Sequence, residues 1–143
     1  MKKRYFLAIM LALMSTVIFA QADAIIGTWL TADKEAHVEI YKIGNTYYGK
    51  IIWLKTENDP DTQKPWLDKE NKNTSKRALP LLGSKMLWGF HYKNGEYNNG
   101  KVYDSRDGAT YAGKLWLTNK NSLKMRGYWG FFFSTEVWTR VKS

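Results

Sequence analysis

Ile25-Ile26-Gly27-Thr28-Trp29-Leu30-Thr31 is the stretch whose reading decides the fold. Gly27 lets another backbone come close, and Trp29, two residues on, returns to the same face of a strand. One large indole pointing inward at the start of a barrel makes a plug for its closed end. At the other terminus Trp138 and Arg140, again two apart, share a face of the last apolar run. A guanidinium on an indole is a favourable cation–π pair, and the first and last strands of a closed antiparallel barrel are neighbours. Gly27, Trp29, Trp138 and Arg140 are therefore the expected structural set.

Working outward, no long stretch keeps a helical period, whereas short alternating runs recur between turn signals. The runs are Ile25–Thr31, Ala36–Ile43, Thr46–Leu54, Met86–Tyr92, Lys101–Asp104, Ala109–Thr118, Ser122–Trp129 and Thr135–Val141. Gly44-Asn45, Asn94-Gly95, Asp107-Gly108 and Asn119-Lys120-Asn121 between them are hairpin chemistry. Alternation puts Val38 and Ile40 on one face of their run. It does the same for Tyr111, Gly113, Leu115 and Leu117, and for Leu123, Met125, Gly127 and Trp129, with Lys124, Arg126 and Tyr128 opposite that last group. The expectation is an all-β chain: a single closed antiparallel up-and-down barrel of about eight strands. A two-sheet sandwich is the alternative. A barrel of this size is either filled by side chains or holds one small ligand.

Met1 to Ala22 reads as a secretory signal. Lys2, Lys3 and Arg4 form a basic head, Phe6 to Ala20 is uncharged and mostly apolar, and Ala20-Gln21-Ala22 supplies small residues for cleavage. The expected organisation is thus 1–22 signal peptide and 23–143 barrel domain, exported to the periplasm or beyond. There is no Cys, which excludes a lipid-bearing Cys, disulfides and thiolate metal sites. Formal charge is +9, or +6 without those three basic residues. An exported basic protein does not normally meet nucleic acid; anionic envelope components are the acidic surfaces within reach.

One long segment, at about 55–82, breaks the meander, with Asp59-Pro60-Asp61, Lys64-Pro65-Trp66 and Leu79-Pro80-Leu81-Leu82-Gly83. Connections this long inside a compact domain are usually functional or mobile, and this one is expected to form a lid or a wall of the mouth.

The Gly-x-Trp start with a late Arg resembles the lipocalin (calycin) pattern. A more specific resemblance lies in Asn71, Arg77, Pro80 and Gly83 followed by Met86-Leu87-Trp88-Gly89-Phe90. It continues through Gly100-Lys101-Val102-Tyr103-Asp104, Gly108-Ala109-Thr110-Tyr111 and Leu123-Lys124-Met125-Arg126-Gly127-Tyr128 to Trp138-Thr139-Arg140. This series is similar to the signature of an exported bacterial family known as domain of unknown function 2147. The resemblance implies a lipocalin-like barrel and supplies no reaction. This chain departs from the family pattern at Asn71-Lys72-Asn73, where the family has Asn-Pro-Asp, and again at Leu79 and Ser105.

Most candidate chemistry fails on inspection. His37 and His91 are the only histidines, too few for a zinc site without Cys. No Gly-x-Ser-x-Gly elbow or phosphate loop is present. Asp59-Pro60-Asp61-Thr62-Gln63 with Glu70 mimics a calcium loop, but Lys64 stands at the turn glycine. Neither a metal nor a cofactor is expected, and no persuasive acid–base pair argues for an enzyme.

The expected binding constellation is at the barrel mouth: Asn71, Arg77, Tyr103, Asp104, Tyr111 and Arg126, walled by Trp53, Trp88 and Phe90. Arg grips carboxylate or phosphate bidentately, Tyr offers a ring and a hydroxyl, and aromatic walls suit an amphipathic ligand with an acidic head. Two functions follow from this: an envelope protein binding a small apolar or amphipathic molecule, or a filled barrel acting by its surface as an interaction or envelope-stress module.

Overall fold

The structure, a computed structural model, describes residues 9–11, 13–14 and 19–142. Eight strands follow one another in chain order and close into a barrel. They are β1 (Gly27–Leu30), β2 (Ala36–Ile43), β3 (Thr46–Leu54), β4 (Lys85–Lys93), β5 (Glu96–Asp104), β6 (Ala109–Asn119), β7 (Ser122–Trp129) and β8 (Phe132–Arg140). Every neighbouring pair is antiparallel, and the closure sets Trp29 of β1 opposite Arg140 of β8. The sandwich alternative is thereby set aside. The signal expected over 1–22 lies largely outside the described residues. Among the described residues no helix is long and apolar enough to cross a membrane.

The alternation works as read: Val38 and Ile40 are buried on β2, and Leu115 and Leu123 on β6 and β7. Tight turns fix the register, as at Asn94-Gly95, where both residues take positive φ, the backbone a two-residue hairpin turn requires. Two strands begin several residues earlier than the pattern predicts. β5 reaches back to Glu96 through a bulge between Tyr97 and Gly100, with Asn99 at φ 62°. Gly100 fits there because the Phe90 ring occupies the space a side chain would need: a Cβ would lie 2.3 Å from it. β8 starts at Phe132, inside a Phe-Phe-Phe run in which alternation is invisible.

The closed half of the barrel is filled. Trp29, Trp138, Tyr47, Tyr97 and Phe90 are the largest fully buried side chains, each contributing roughly 1.5–3 kcal/mol of burial. The segment Asp23–Ile25 makes a short helical turn beneath them. It is held by the Tyr47 hydroxyl, which donates to Asp23 Oδ1 at 2.8 Å, and by Lys42 Nζ on the same oxygen at 2.9 Å. Lys42 and then Tyr47 hold the Asp23 carboxyl below the usual carboxylate range, against the opposing effect of burial. Trp29 Nε1 donates to the Ile25 carbonyl at 2.9 Å, so the buried indole is satisfied. Arg140 finishes the plug: its guanidinium lies over the Trp29 ring and donates to the carbonyls of Ala24, Ile26 and Lys120.

Candidate functional site

Opposite the plug, the open half of the barrel encloses a cavity of about 830 Å³. Its apolar walls come from inward positions of five strands: Ile51 of β3, Met86 of β4, Val102 of β5, Met125 of β7 and Trp138 of β8. Gly127, also inward on β7, leaves room where another residue would project. The mouth is bounded by Trp66, Leu67 and Leu81 of the long loop on one side and Trp129 of β7 on the other.

The long loop is built as a wall. Asp59 and Asp68 are buried although both carry carboxyl groups, and each is fully used. Asp59 takes the Lys69 ammonium and the Asp61 backbone amide, so the segment resembling a calcium loop is a lysine-closed turn. Asp68 accepts from the Tyr103 hydroxyl through Oδ1 and from Asn71 Nδ2 through Oδ2. Burial, and then that bond to Asp68, push the Tyr103 hydroxyl pKa well above its ordinary value. Short bridges, Asn58 to Pro65 and Leu67 to Pro80, close the loop on itself. A Cβ on Gly108 would fall 1.8 Å from the Glu70 carbonyl oxygen, which shows how closely the β5–β6 turn packs on the loop.

The charged part of the cavity lining is mainly acidic. Asp33, Glu35, Glu70, Asp104 and Glu136 line it, against Lys69 and Arg106. Both cations are already paired, Lys69 with Asp59 and Arg106 with Asp104 through a two-point contact, Nε to Oδ1 at 2.9 Å and Nη2 to Oδ2 at 2.8 Å. Arg106 holds the Asp104 carboxyl below its ordinary pKa, more than offsetting burial. Deeper in, Glu136 pairs across the sheet with Met125 and accepts from Trp138 Nε1 at 3.2 Å.

Of the residues expected at the site, Tyr103, Asp104 and Tyr111 line the cavity. Asn71 braces the long loop through Asp68, and its carbonyl accepts from Arg77 Nε, leaving Arg77 on the exposed outer side. Arg126 faces outward on β7, over the Trp116 and Phe133 rings, and donates to Thr135 Oγ1 at 2.8 Å. Trp53 is outward, its ring 4.2 Å from that of His37. Trp88 pairs with Lys101 on the strand face opposite Leu87, and Phe90 is buried in the core without lining the cavity. Glu136, Met86, Met125, Trp129 and Arg106 were missed as lining residues. For Met125 and Trp129 the alternation already carried the signal, and Glu136 follows by the same parity from Trp138.

A closed meander of eight strands, plugged at one end and hollow at the other, defines a lipocalin-like barrel. The chain belongs to the bacterial family described as "Uncharacterized protein conserved in bacteria (DUF2147)", whose model matches residues 27–140. It is similar in structure to a protein described as "Protein HP1028 from the human pathogen Helicobacter pylori belongs to the lipocalin family". That match has 24% identity and a TM-score of 0.68, covering 82% of this chain and 83% of that one. At that identity the likeness carries the fold alone. Comparison with curated proteins gives no match.

Proposed function

We propose that this barrel binds a small molecule with an apolar body in the cavity at its open end, outside the cytoplasm. The observation that carries the reading is the cavity itself: about 830 Å³, within the roughly 300–1,000 Å³ of small-molecule sites. Its walls of Ile51, Met86, Val102, Met125 and Trp138 suit a hydrocarbon or ring system. A filled barrel acting only through its surface would have closed this space with side chains. The export half of the proposal is supported by the composition of residues 1–22.

The polar lining narrows the head group. A ligand carboxylate would meet Glu136 and Glu70, while among the described lining residues Lys69 and Arg106 are each committed to an aspartate and Glu35 is paired with Lys55. An uncharged donor or a cationic head fits better, and Glu136, beside Met125 and Trp138, is the acceptor placed to receive it. Titrating tryptophan emission with dodecanol, dodecyltrimethylammonium and dodecanoate tests this directly. The first two are expected to bind and the third to bind weakly. Glu136→Gln should erase the preference for the cationic head without unfolding the barrel. Tightest binding of dodecanoate would overturn the head-group assignment, and no binding of any probe would overturn the ligand reading.

A further inference from the structure

The β7–β8 turn carries the most exposed apolar surface of the barrel. Trp129 is 49% exposed, Phe131 104%, Phe132 68% and Phe133 56%, around Gly130 at φ 60°. Four aromatic rings at one hairpin tip, held in water, mark an interaction site. The tip stands at the open end, and Trp129 also lines the cavity.

What lies behind the tip identifies the partner. On the outer face, Arg126 and Lys124 follow Tyr128 down β7 at alternate positions. Lys114 lies beside Arg126 on β6, and Lys101 on β5 is one strand further round, next to Ala112. Arg126, Lys124 and Lys101 form no ion pair among the described residues, and only Lys114 has a carboxylate, Glu96. A shallow depression between Lys101, Lys114 and Tyr128 sits on the same face. Apolar rings at the tip, with cations one to three pleats behind, match the layering of a bilayer surface. There, side chains enter the acyl boundary by about 5–10 Å while Lys and Arg stay among the head groups. A second copy of this chain fits poorly, because a two-fold contact through the tip would bring the two cationic faces together.

We propose that the Trp129–Phe133 tip inserts into the surface of an anionic bilayer, with Lys101 and Arg126 nearest the head groups and Lys124 behind them. Absence of Cys allows one label per molecule on the full chain. Phe131→Cys places an environment-sensitive fluorophore at the tip, and Asn45→Cys places it in the turn at the closed end.

With phosphatidylglycerol–phosphatidylethanolamine vesicles, the label at 131 is expected to shift to the blue and be quenched by brominated lipid, while the label at 45 stays in water. The shift should vanish at high salt and with phosphatidylcholine alone. Lys101→Gln should raise the lipid needed for half-binding roughly fivefold, from about 1 kcal/mol per cation near an anionic surface, and Lys124→Gln, further from the tip, by less. A shift at 45, or none at 131, overturns the insertion. Unchanged half-binding in the lysine variants overturns the head-group contact. A lipid-free dimer dispersed by Phe131→Ser with Phe132→Ser would assign the tip to a second copy instead.

Discussion

The Arg140 guanidinium lies over the Trp29 indole at 4.3 Å from the ring centroid, joining the first and last strands at the closed end. One Arg140 nitrogen also fills the space beside Gly27, 2.5 Å from where a Cβ would stand. Gly27 further sits at φ 141°, a backbone that side chains disfavour. The three residues are one unit, and their variants should not add.

Trp29→Ala is expected to cost about 3–5 kcal/mol as a large core truncation. Arg140→Ala should cost less, since Arg140 is partly exposed, and the double variant should lose less than the sum. Gly27→Ala should destabilise in the wild-type background and be partly rescued by Arg140→Ala, leaving only the backbone strain. Urea unfolding of the set checks this, and additive losses throughout would show that the plug is not coupled.

The long loop should be a fixed wall through its middle. The Asp68 amide donates to the Leu79 carbonyl at 3.0 Å and the Leu81 amide to Trp66 at 2.9 Å, while the Asp68 carboxylate binds Tyr103 and Asn71. Hydrogen exchange is expected to be slow at Asp68 and Leu81 and fast around Lys72 and Thr74. Asp68→Ala should speed exchange at Leu81 and lower stability by about 1.5–3 kcal/mol, the range for hydrogen bonds to a charged group. Equal, fast exchange along the whole loop would show instead a lid that opens freely.

Much of this fold was legible because its signals are local. Val38 and Ile40 show their face by alternation, and Asn94-Gly95 names its turn. Trp29 with Arg140 follows from the closure of an antiparallel barrel. What could not be read depends on longer-range packing. The alternating run starts only at Lys101, yet β5 reaches back through Asn98-Asn99-Gly100 because Phe90 needs the room above Gly100. The course of the loop depends on Asp68 meeting Tyr103, 35 residues away, a contact with no local pattern. Arg126 is a different case: its chemistry suits a mouth, but its parity opposes Met125 and Trp129, so its outward position is legible in the sequence.

Acid should loosen the loop before the barrel. Lys69 and the Asp61 amide hold the Asp59 carboxyl below the ordinary range. A carboxyl depressed in the folded state contributes fully above its unfolded value, about 3.9, and loses that contribution as pH falls through the folded value. The wild-type melting temperature should therefore drop as pH falls below about 4. Asp59→Asn should melt lower at neutral pH and show a shallower decline in acid, because the titrating group is gone. Calorimetry across this range checks it; parallel curves for the two proteins would mean that Asp59 does not carry the acid sensitivity.

Gly127 offers the sharpest test of the cavity. It faces inward on β7, and a Cβ there would meet only the Tyr111 Cβ, at 3.8 Å, an ordinary contact. Gly113, its partner on β6, is the opposite case, since a Cβ would lie 2.6 Å from Val102. Gly113→Ala should therefore lose about 1–3 kcal/mol by overpacking. Gly127→Leu should instead project into the cavity between Met125 and Trp129, bury its side chain and leave the melting temperature equal or higher. The same leucine takes up space a ligand would use, so probe binding at the open end should fall at least about tenfold, a loss of roughly 1.4 kcal/mol. Stability kept and binding lost would locate the ligand inside the barrel. If binding survives Gly127→Leu in a protein that melts normally, the probes sit elsewhere, and the cavity is not the site.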